Sequence, residues 1–206
     1  MKVLACLLSI TLLVSGCKNA ESQSAETLQD GDIIFQESQS AQSKAIQLAT
    51  GSRYSHCGII YLAGGDYFVY EAIQPVQTTP LDEWIARGKD GHYVVKRLKN
   101  ADSVLTPKVI AKMKKKGRKM NGREYDLYFE WSNDRIYCSE LVWKIYKQGT
   151  GIELGQLQQL KDFDLSAPAV KQKLRERYGS NIPQDEKVIS PAAIFESELL
   201  YTIDSD

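Results

Sequence analysis

The sequence predicts an α+β domain in which a small antiparallel sheet or barrel is packed by helices. Three observations predict it. Apolar runs rich in β-branched and aromatic residues crowd the first half of the chain, segments with helical spacing surround and follow them, and no strand–helix alternation or internal repeat calls for a parallel sheet. At 206 residues the chain has room for one domain with a sizeable core, but not for two domains and a linker. Its 26 Lys+Arg balance 26 Asp+Glu, and 43% hydrophobic with 25% charged residues is an ordinary globular mixture. Bulk disorder is thereby excluded, and nucleic acid is not an expected partner.

The N-terminus reads as an address. Met1 and Lys2 precede an apolar run over 3–14, which has signal-peptide length and is too short to span a bilayer. Leu13-Val14-Ser15-Gly16-Cys17 then resembles a bacterial lipobox. Residues 1–16 are therefore expected to be a lipoprotein signal peptide, with Cys17 the lipidated first residue of the mature chain; a plain secretory signal is the alternative. Residues 17–27, rich in Ser, Gln and Ala, form a lipidated tether, and 28–206 the folded domain. Lys18 after the cysteine resembles the sorting pattern for the outer membrane. The expected location is a bacterial cell envelope, anchored by lipid and facing the periplasm.

Within the domain, Asp30-Gly31-Asp32 turns into the strand Ile33-Ile34-Phe35, and 38–50 carries Ala41, Ala45, Ile46 and Ala49 at helical spacing before Gly51. The runs 56–62 and 66–72 flank Ala63-Gly64-Gly65 and read as a hairpin. Thr79-Pro80 opens a short helix to Arg87, 93–98 is a third long strand, and Thr106-Pro107 caps a helix to about residue 120. An irregular aromatic stretch, 121–136, leads into a helix from about Tyr137 to Gln148. The tail adds helices over 168–178 and after Ser190-Pro191, and a last strand over 199–203.

Four cysteines and two histidines are the scarce reactive groups. Cys6 leaves with the signal and Cys17 takes the lipid, so Cys57 and Cys138 remain. A disulfide between them is permitted outside the cytoplasm, but their surroundings argue against it. With a hairpin loop of Ala63-Gly64 or Gly64-Gly65, His56 faces Glu71 directly or diagonally, and on the same face in both registers. Directly opposed Cβ atoms lie roughly 4.5–5.5 Å apart, close enough for Glu71 to orient the imidazole and favour its charged form. The pleat sends Cys57 to the opposite face with Ile59 and Tyr61, as a core thiol out of reach of the thiol that His56 faces.

Cys138 stands where the irregular stretch gives way to a helix. A thiol in a first helical turn feels the positive end of the macrodipole and unpaired N–H groups, which lower its pKa and offer donors to an oxyanion. Cys138, His56 and Glu71 thus form a candidate nucleophile, base and orienting carboxylate. A core histidine bonded to Glu71 with no thiol nearby is the plainer alternative. Tyr54, Tyr125 and Asp126, with Tyr128 and Trp131, are candidates for the substrate cleft, although core packing explains aromatics equally well. No C-x-x-C or H-x-x-x-H spacing exists, so neither a metal nor another cofactor is expected. His92 reads as a surface turn residue, and the basic run from Lys112 to Arg123 as a solvated helix face.

The strings Gly31-Asp32-Ile33-Ile34-Phe35, Ser43-Lys44-Ala45-Ile46-Gln47-Leu48-Ala49-Thr50, Tyr54-Ser55-His56-Cys57-Gly58, Tyr70-Glu71-Ala72, Gly122-Arg123-Glu124-Tyr125-Asp126 and Tyr137-Cys138-Ser139-Glu140 resemble the YiiX family. That family belongs to the circularly permuted NlpC-type, papain-like hydrolases, distant relatives of lecithin:retinol acyltransferase. The resemblance spans about Leu28 to Ile194. It implies a permuted papain-like fold in which the histidine strand precedes the nucleophile helix, with Cys138 matching the nucleophile, His56 the base and Glu71 the third polar residue. Cys57 beside the histidine departs from the family's familiar small residue such as Thr.

The expected function is that of an extracytoplasmic cysteine hydrolase, of amidase or peptidase type, acting through an acyl-enzyme on cell-envelope amides. Its expected partners are a small peptide or acyl-amide, including cell-wall fragments, and the membrane through the N-terminal lipid. The alternatives are a lipid-acting acyltransferase or thioesterase of the same fold, and a non-catalytic envelope-binding lipoprotein.

Overall fold

The computed structural model describes residues 27–40 and 42–205. The signal peptide, Cys17 and the tether through residue 26 lie outside the described residues. Among the described residues no helix is long and apolar enough to cross a membrane.

The centre is a six-stranded sheet. In chain order its strands are β1 (Ile33–Ser38), β2 (His56–Ala63), β3 (Asp66–Ala72), β4 (Val76–Pro80), β5 (Gly88–Leu98) and β8 (Leu200–Ser205). In space they lie as β4-β3-β2-β1-β5-β8, and every neighbouring pair is antiparallel. The α+β class is as the residue pattern predicts. Of the two forms expected, the strands make a sheet that ends at β4 and β8 rather than a closed barrel. A second, two-stranded sheet pairs β6 (Gln158–Gln159) with β7 (Lys187–Val188).

Around the sheet lie α1 (Ser43–Thr50), α2 (Leu81–Ala86), α3 (Ala101–Val104), α4 (Pro107–Arg118), α5 (Cys138–Thr150), α6 (Pro168–Tyr178) and α7 (Pro191–Phe195). Both sheet faces are covered. Ile33, Phe35, Cys57, Ile59 and Tyr70 share one core with Ile110 and Met113 of α4 and Leu141 of α5. The alternate residues Ile34, Ile60, Val69 and Val95 pack with Trp84 of α2 in a smaller one. Burial on two sides is why β1 and β2 read as nearly continuous apolar runs.

The hairpin turn is Gly64-Gly65, both at positive φ (65° and 98°), as a tight two-residue hairpin turn requires. Ala63 therefore pairs with Asp66, and Ile59 with Tyr70. At the far end of β1, buried Asp32 accepts two parallel bonds from Arg97 of β5, Nε to Oδ1 and Nη2 to Oδ2, both 2.7 Å.

Several boundaries differ from the sequence expectation. The helix expected from residue 38 begins at Ser43, because β1 runs on through Ser38. β5 starts at Gly88, not residue 93: Gly88 pairs with Ser38 of β1, and after an irregularity in which Asp90 and Gly91 take positive φ (57° and 70°) the pairing with β1 resumes at Tyr93. His92 lies within that strand, half-buried, its ring centroid 6.3 Å from that of Tyr54, and is not a turn residue. β4 escaped notice because Gln77-Thr78-Thr79-Pro80 lacks an apolar pattern, which an edge strand can afford. In the basic helix α4, Ile110, Met113 and Gly117 are buried while Lys112, Lys115 and Arg118 stay exposed.

Candidate active site

Cys138 is the first residue of α5, and its neighbours hold it there. Ser139 Oγ donates to the Ile189 carbonyl (2.8 Å), and the Ile189 N–H donates to the Tyr137 hydroxyl (3.1 Å). The Tyr137 N–H meets Glu140 Oε2 at 3.3 Å, and Lys144 Nζ pairs with Glu140 Oε1 at 2.6 Å. Burial still pushes the Glu140 carboxyl up to about 7, against the pull of Lys144. The N-terminal end of α5 is therefore pinned to the segment that enters α7, with the positive end of the helix at the sulfur.

His56 opens β2, and Glu71 lies diagonally across on β3, on the same face. Nε2 and Glu71 Oε2 are 2.6 Å apart. Gly58 makes the diagonal possible: a Cβ there would sit 2.4 Å from Val69 Cγ1 and 2.9 Å from the Tyr70 carbonyl oxygen. Glu71 is fully buried and collects three more donors. Trp84 Nε1 reaches Oε2 (2.9 Å), Thr79 Oγ1 reaches Oε1 (2.6 Å), and Arg87 Nη2 also binds Oε1. All the lone-pair positions of the carboxylate are thus used. Burial alone would raise its pKa; the hydrogen bond and charge of His56, with Thr79 and Arg87, hold it below the usual value.

The imidazole and the Cys138 sulfur act on each other. Burial disfavours the imidazolium, but hydrogen bonding with Cys138 and with Glu71 overrides it and raises the His56 pKa to about 9. The Cys138 thiol is pushed well below its ordinary value, first by a hydrogen bond from Cys57; burial opposes the shift, and His56 and the Cys57 backbone N–H add to it. Both shifts act in the sense that favours a thiolate–imidazolium pair. With Nε2 committed to Glu71, Nδ1 is the nitrogen left for the thiol.

One expectation is overturned here. Cys57 is indeed a buried core residue beside Ile59, but it is not out of reach of Cys138: its own pKa is raised, first by burial and then by the hydrogen bond and charge of Cys138. The reason is that α5 packs on the very face to which the pleat sends Cys57, while His56, as the end residue of β2, meets the same sulfur from the rim of the sheet. Both cysteines are free thiols.

Of the cleft candidates, Tyr125 alone lines a cavity next to the site. Burial, then the charge and hydrogen bonding of Cys138, raise its phenol pKa. Tyr54 is instead stacked on Phe195, centroids 4.2 Å apart. Asp126 is buried, and its Oδ1 accepts the Tyr128 N–H at 2.8 Å, so it shapes the loop. Tyr128 packs on Tyr178, and Trp131 on Trp143. Aromatic content in a loop does not say which rings turn inward. Missed altogether were Thr79, Trp84 and Arg87 around Glu71, and Gln42, whose Nε2 lies 3.4 Å from the Tyr125 hydroxyl. No residue spacing marks them, because they come together from a separate strand, helix and loop.

Among the described residues no group of three or more His, Cys, Asp or Glu is placed to hold a metal ion. The chemistry at hand is that of a thiol, an imidazole and a carboxylate.

Known proteins are similar to this chain in sequence and fold. The chain is 50% identical over 175 residues to a protein of Escherichia coli K12 described as "Uncharacterized protein YiiX", a match that covers 85% of each chain. It superposes with a TM-score of 0.82 and 49% identity on a crystal structure titled "metalloprotein yiiX from Escherichia coli O157:H7, DUF1105", covering 86% of this chain and 97% of that one. A family model described as "Permuted papain-like amidase enzyme, YaeF/YiiX, C92 family" matches residues 27–204, and the chain belongs to that family.

Proposed function

We propose that the protein is an extracytoplasmic, lipid-anchored cysteine hydrolase of amidase type that works on amides of the cell envelope through an acyl-enzyme. One observation carries the reading: Cys138 heads a helix beside an imidazole whose other nitrogen is fixed by a carboxylate at 2.6 Å. The Cys138 thiolate attacks the carbonyl carbon, and His56 gives its proton to the departing amine as the C–N bond breaks. Water, losing a proton to His56, then hydrolyses the thioester and frees the carboxylic acid. First-turn N–H groups of α5 are positioned to receive the developing oxyanion. Glu71 keeps the ring oriented throughout and stays ionised.

A thiol-directed activity probe tests this. Wild type should be labelled at Cys138 near neutral pH and His56→Ala only weakly; equal, slow labelling of both would favour a binding protein without catalysis. The anchor rests on the lipobox-like string ending at Cys17. Cys17→Ser should move the protein out of the membrane fraction, and retention there would remove the anchor from the proposal.

A further inference from the structure

We propose that the outer face of α4 rests on an anionic lipid bilayer, so that a row of lysines holds the protein to the membrane beside the acyl chains expected on Cys17. The proposal extends the anchored reading given above and rests on it for its geometry. Lys108, Lys112 and Lys115 of α4, with Lys119 just past its end, recur at the i, i+4, i+7 and i+11 spacing that lines one side of a helix, and all four are exposed. Ile110, Met113 and Gly117 occupy the opposite side and are buried. Lys116 and Arg118 flank the row. Among the described residues none of these six cations pairs with a carboxylate, whereas Lys114, turned aside from the row, pairs with Asp30 Oδ2 at 2.8 Å.

A helix that merely faced water would gain from carboxylates placed four residues from its lysines, and like charges at that spacing cost it about as much as such pairs provide. Yet Pro107–Arg118 contains no Asp or Glu at all, although the chain as a whole carries as many acids as bases. The excess of positive charge is therefore local, and a partner with dense negative charge relieves the repulsion within the row.

The place of the row in the fold selects a bilayer among polyanions. Lys114 ties α4 to the point where the chain enters the domain: its Nζ reaches Asp30 Oδ2 and the Leu62 carbonyl (3.3 Å), and lies over the Tyr61 ring at 5.0 Å. Leu28 is held at this entry by the Tyr67 hydroxyl, which donates to its carbonyl at 2.8 Å. From Cys17 to Thr27 the chain counts ten residues, which span at most about 35 Å. A lipid on Cys17 thus keeps the entry edge of the domain, and α4 with it, near the headgroups. Leu62, on the same edge, is 44% exposed and is free to enter the interface as an apolar contact. Two exposed acids, Asp66 and Asp102, border the edge, against six unpaired cations. A soluble polyanion would leave both the tether's position and Leu62 without a role.

The test uses the protein as a bacterial host processes it, purified in detergent and added to the outer face of preformed vesicles, either of phosphatidylcholine alone or with one part in four of phosphatidylglycerol. A membrane-impermeant acetylating reagent reads the access of each lysine by mass spectrometry. A cation brought to an anionic surface gains about fivefold in binding, so Lys112, Lys115 and Lys119 should be acetylated at least about fivefold more slowly on the phosphatidylglycerol vesicles, and the difference should vanish in high salt. Lys171 and Lys187, exposed on α6 and β7, should react equally on both. Lys112→Gln, Lys115→Gln and Lys119→Gln together should restore the access of Lys108 with an unchanged melting curve, since the three side chains are exposed. Equal acetylation of the row on the two kinds of vesicle, or protection that persists in high salt, would overturn this inference. So would protection that added heparin confers on phosphatidylcholine vesicles and phosphatidylglycerol does not, which would assign the row to a soluble polyanion. Attachment to phosphatidylcholine vesicles reports the lipid on Cys17 by itself: its loss, with salt-reversible attachment to the anionic vesicles, would remove the anchor and keep the lysine row, and attachment to neither would remove both.

Discussion

Replacing Glu71 by Gln removes one charge from the point where the site's hydrogen bonds converge. Oε2 accepts from His56 and Trp84, and Oε1 from Thr79 and Arg87, so whichever way the amide is turned, its NH₂ group confronts two donors. An elevation of His56 from 6.5 to about 9 corresponds to about 3 kcal/mol in favour of the imidazolium, at about 1.4 kcal/mol per factor of ten. Cys138 and Glu71 both contribute, so loss of the Glu71 charge should lower the alkaline limb of activity from about 9 by about one pH unit or more. Turnover near pH 7 should fall roughly 100-fold, as the ring loses its orientation and its charge. Stability responds to both members of the pair. The raised His56 pKa stabilises fully below the unfolded value of 6.5 and is lost as pH climbs through about 9, while the lowered Cys138 pKa contributes with the opposite sign as pH rises toward its ordinary value. The urea stability of the wild type should therefore change little across that window. The assays are the pH dependence of Cys138-dependent amide hydrolysis and urea unfolding at pH 6 and 9. An alkaline limb still at about 9 with turnover within about threefold of wild type would refute the role of Glu71.

Three further outcomes follow from other contacts. Cys57→Ala removes the hydrogen bond that contributes most to the low Cys138 pKa, so the alkylation profile of Cys138 should shift to higher pH; an unshifted profile would show that His56 alone holds the thiolate. Gly58→Ala drives a methyl to 2.4 Å from Val69 Cγ1 and should cost roughly 1–3 kcal/mol in urea unfolding, and more turnover than that loss explains, because His56 and Glu71 straddle the position. Asp32→Asn leaves the buried Arg97 guanidinium without its carboxylate and should cost about 3–5 kcal/mol; a melting temperature equal to wild type would mean that another group replaces it.

Local pattern and pairing rules carried much of this protein. The two-glycine turn limits the hairpin to two registers, and in either one the strict alternation of a strand puts His56 and Glu71 on one face. Thr106-Pro107 and Ser190-Pro191 each mark a helix start, because a capping hydroxyl followed by a residue without an N–H suits a first turn: the Thr106 and Ser190 hydroxyls accept the N–H groups of Val109 and Ala193. Cys138 at the head of its helix was legible from the switch out of an irregular stretch into an apolar period.

What the linear order could not hold was the position of layers relative to one another. Strand parity says that Cys57 and His56 point apart, and so they do; only the packing of α5 over the Cys57 face, with its first residue at the rim where His56 stands, brings both to one sulfur. Likewise Trp84, Thr79 and Arg87 surround Glu71, and Tyr125 rather than Tyr54 stands beside Cys138, because helix α2 and the 121–136 loop fold back on the sheet. Periodicity and turn chemistry act over a few residues and are written in the sequence. The burial of a carboxylate among four donors arises from contacts between distant segments, which the tertiary structure alone decides.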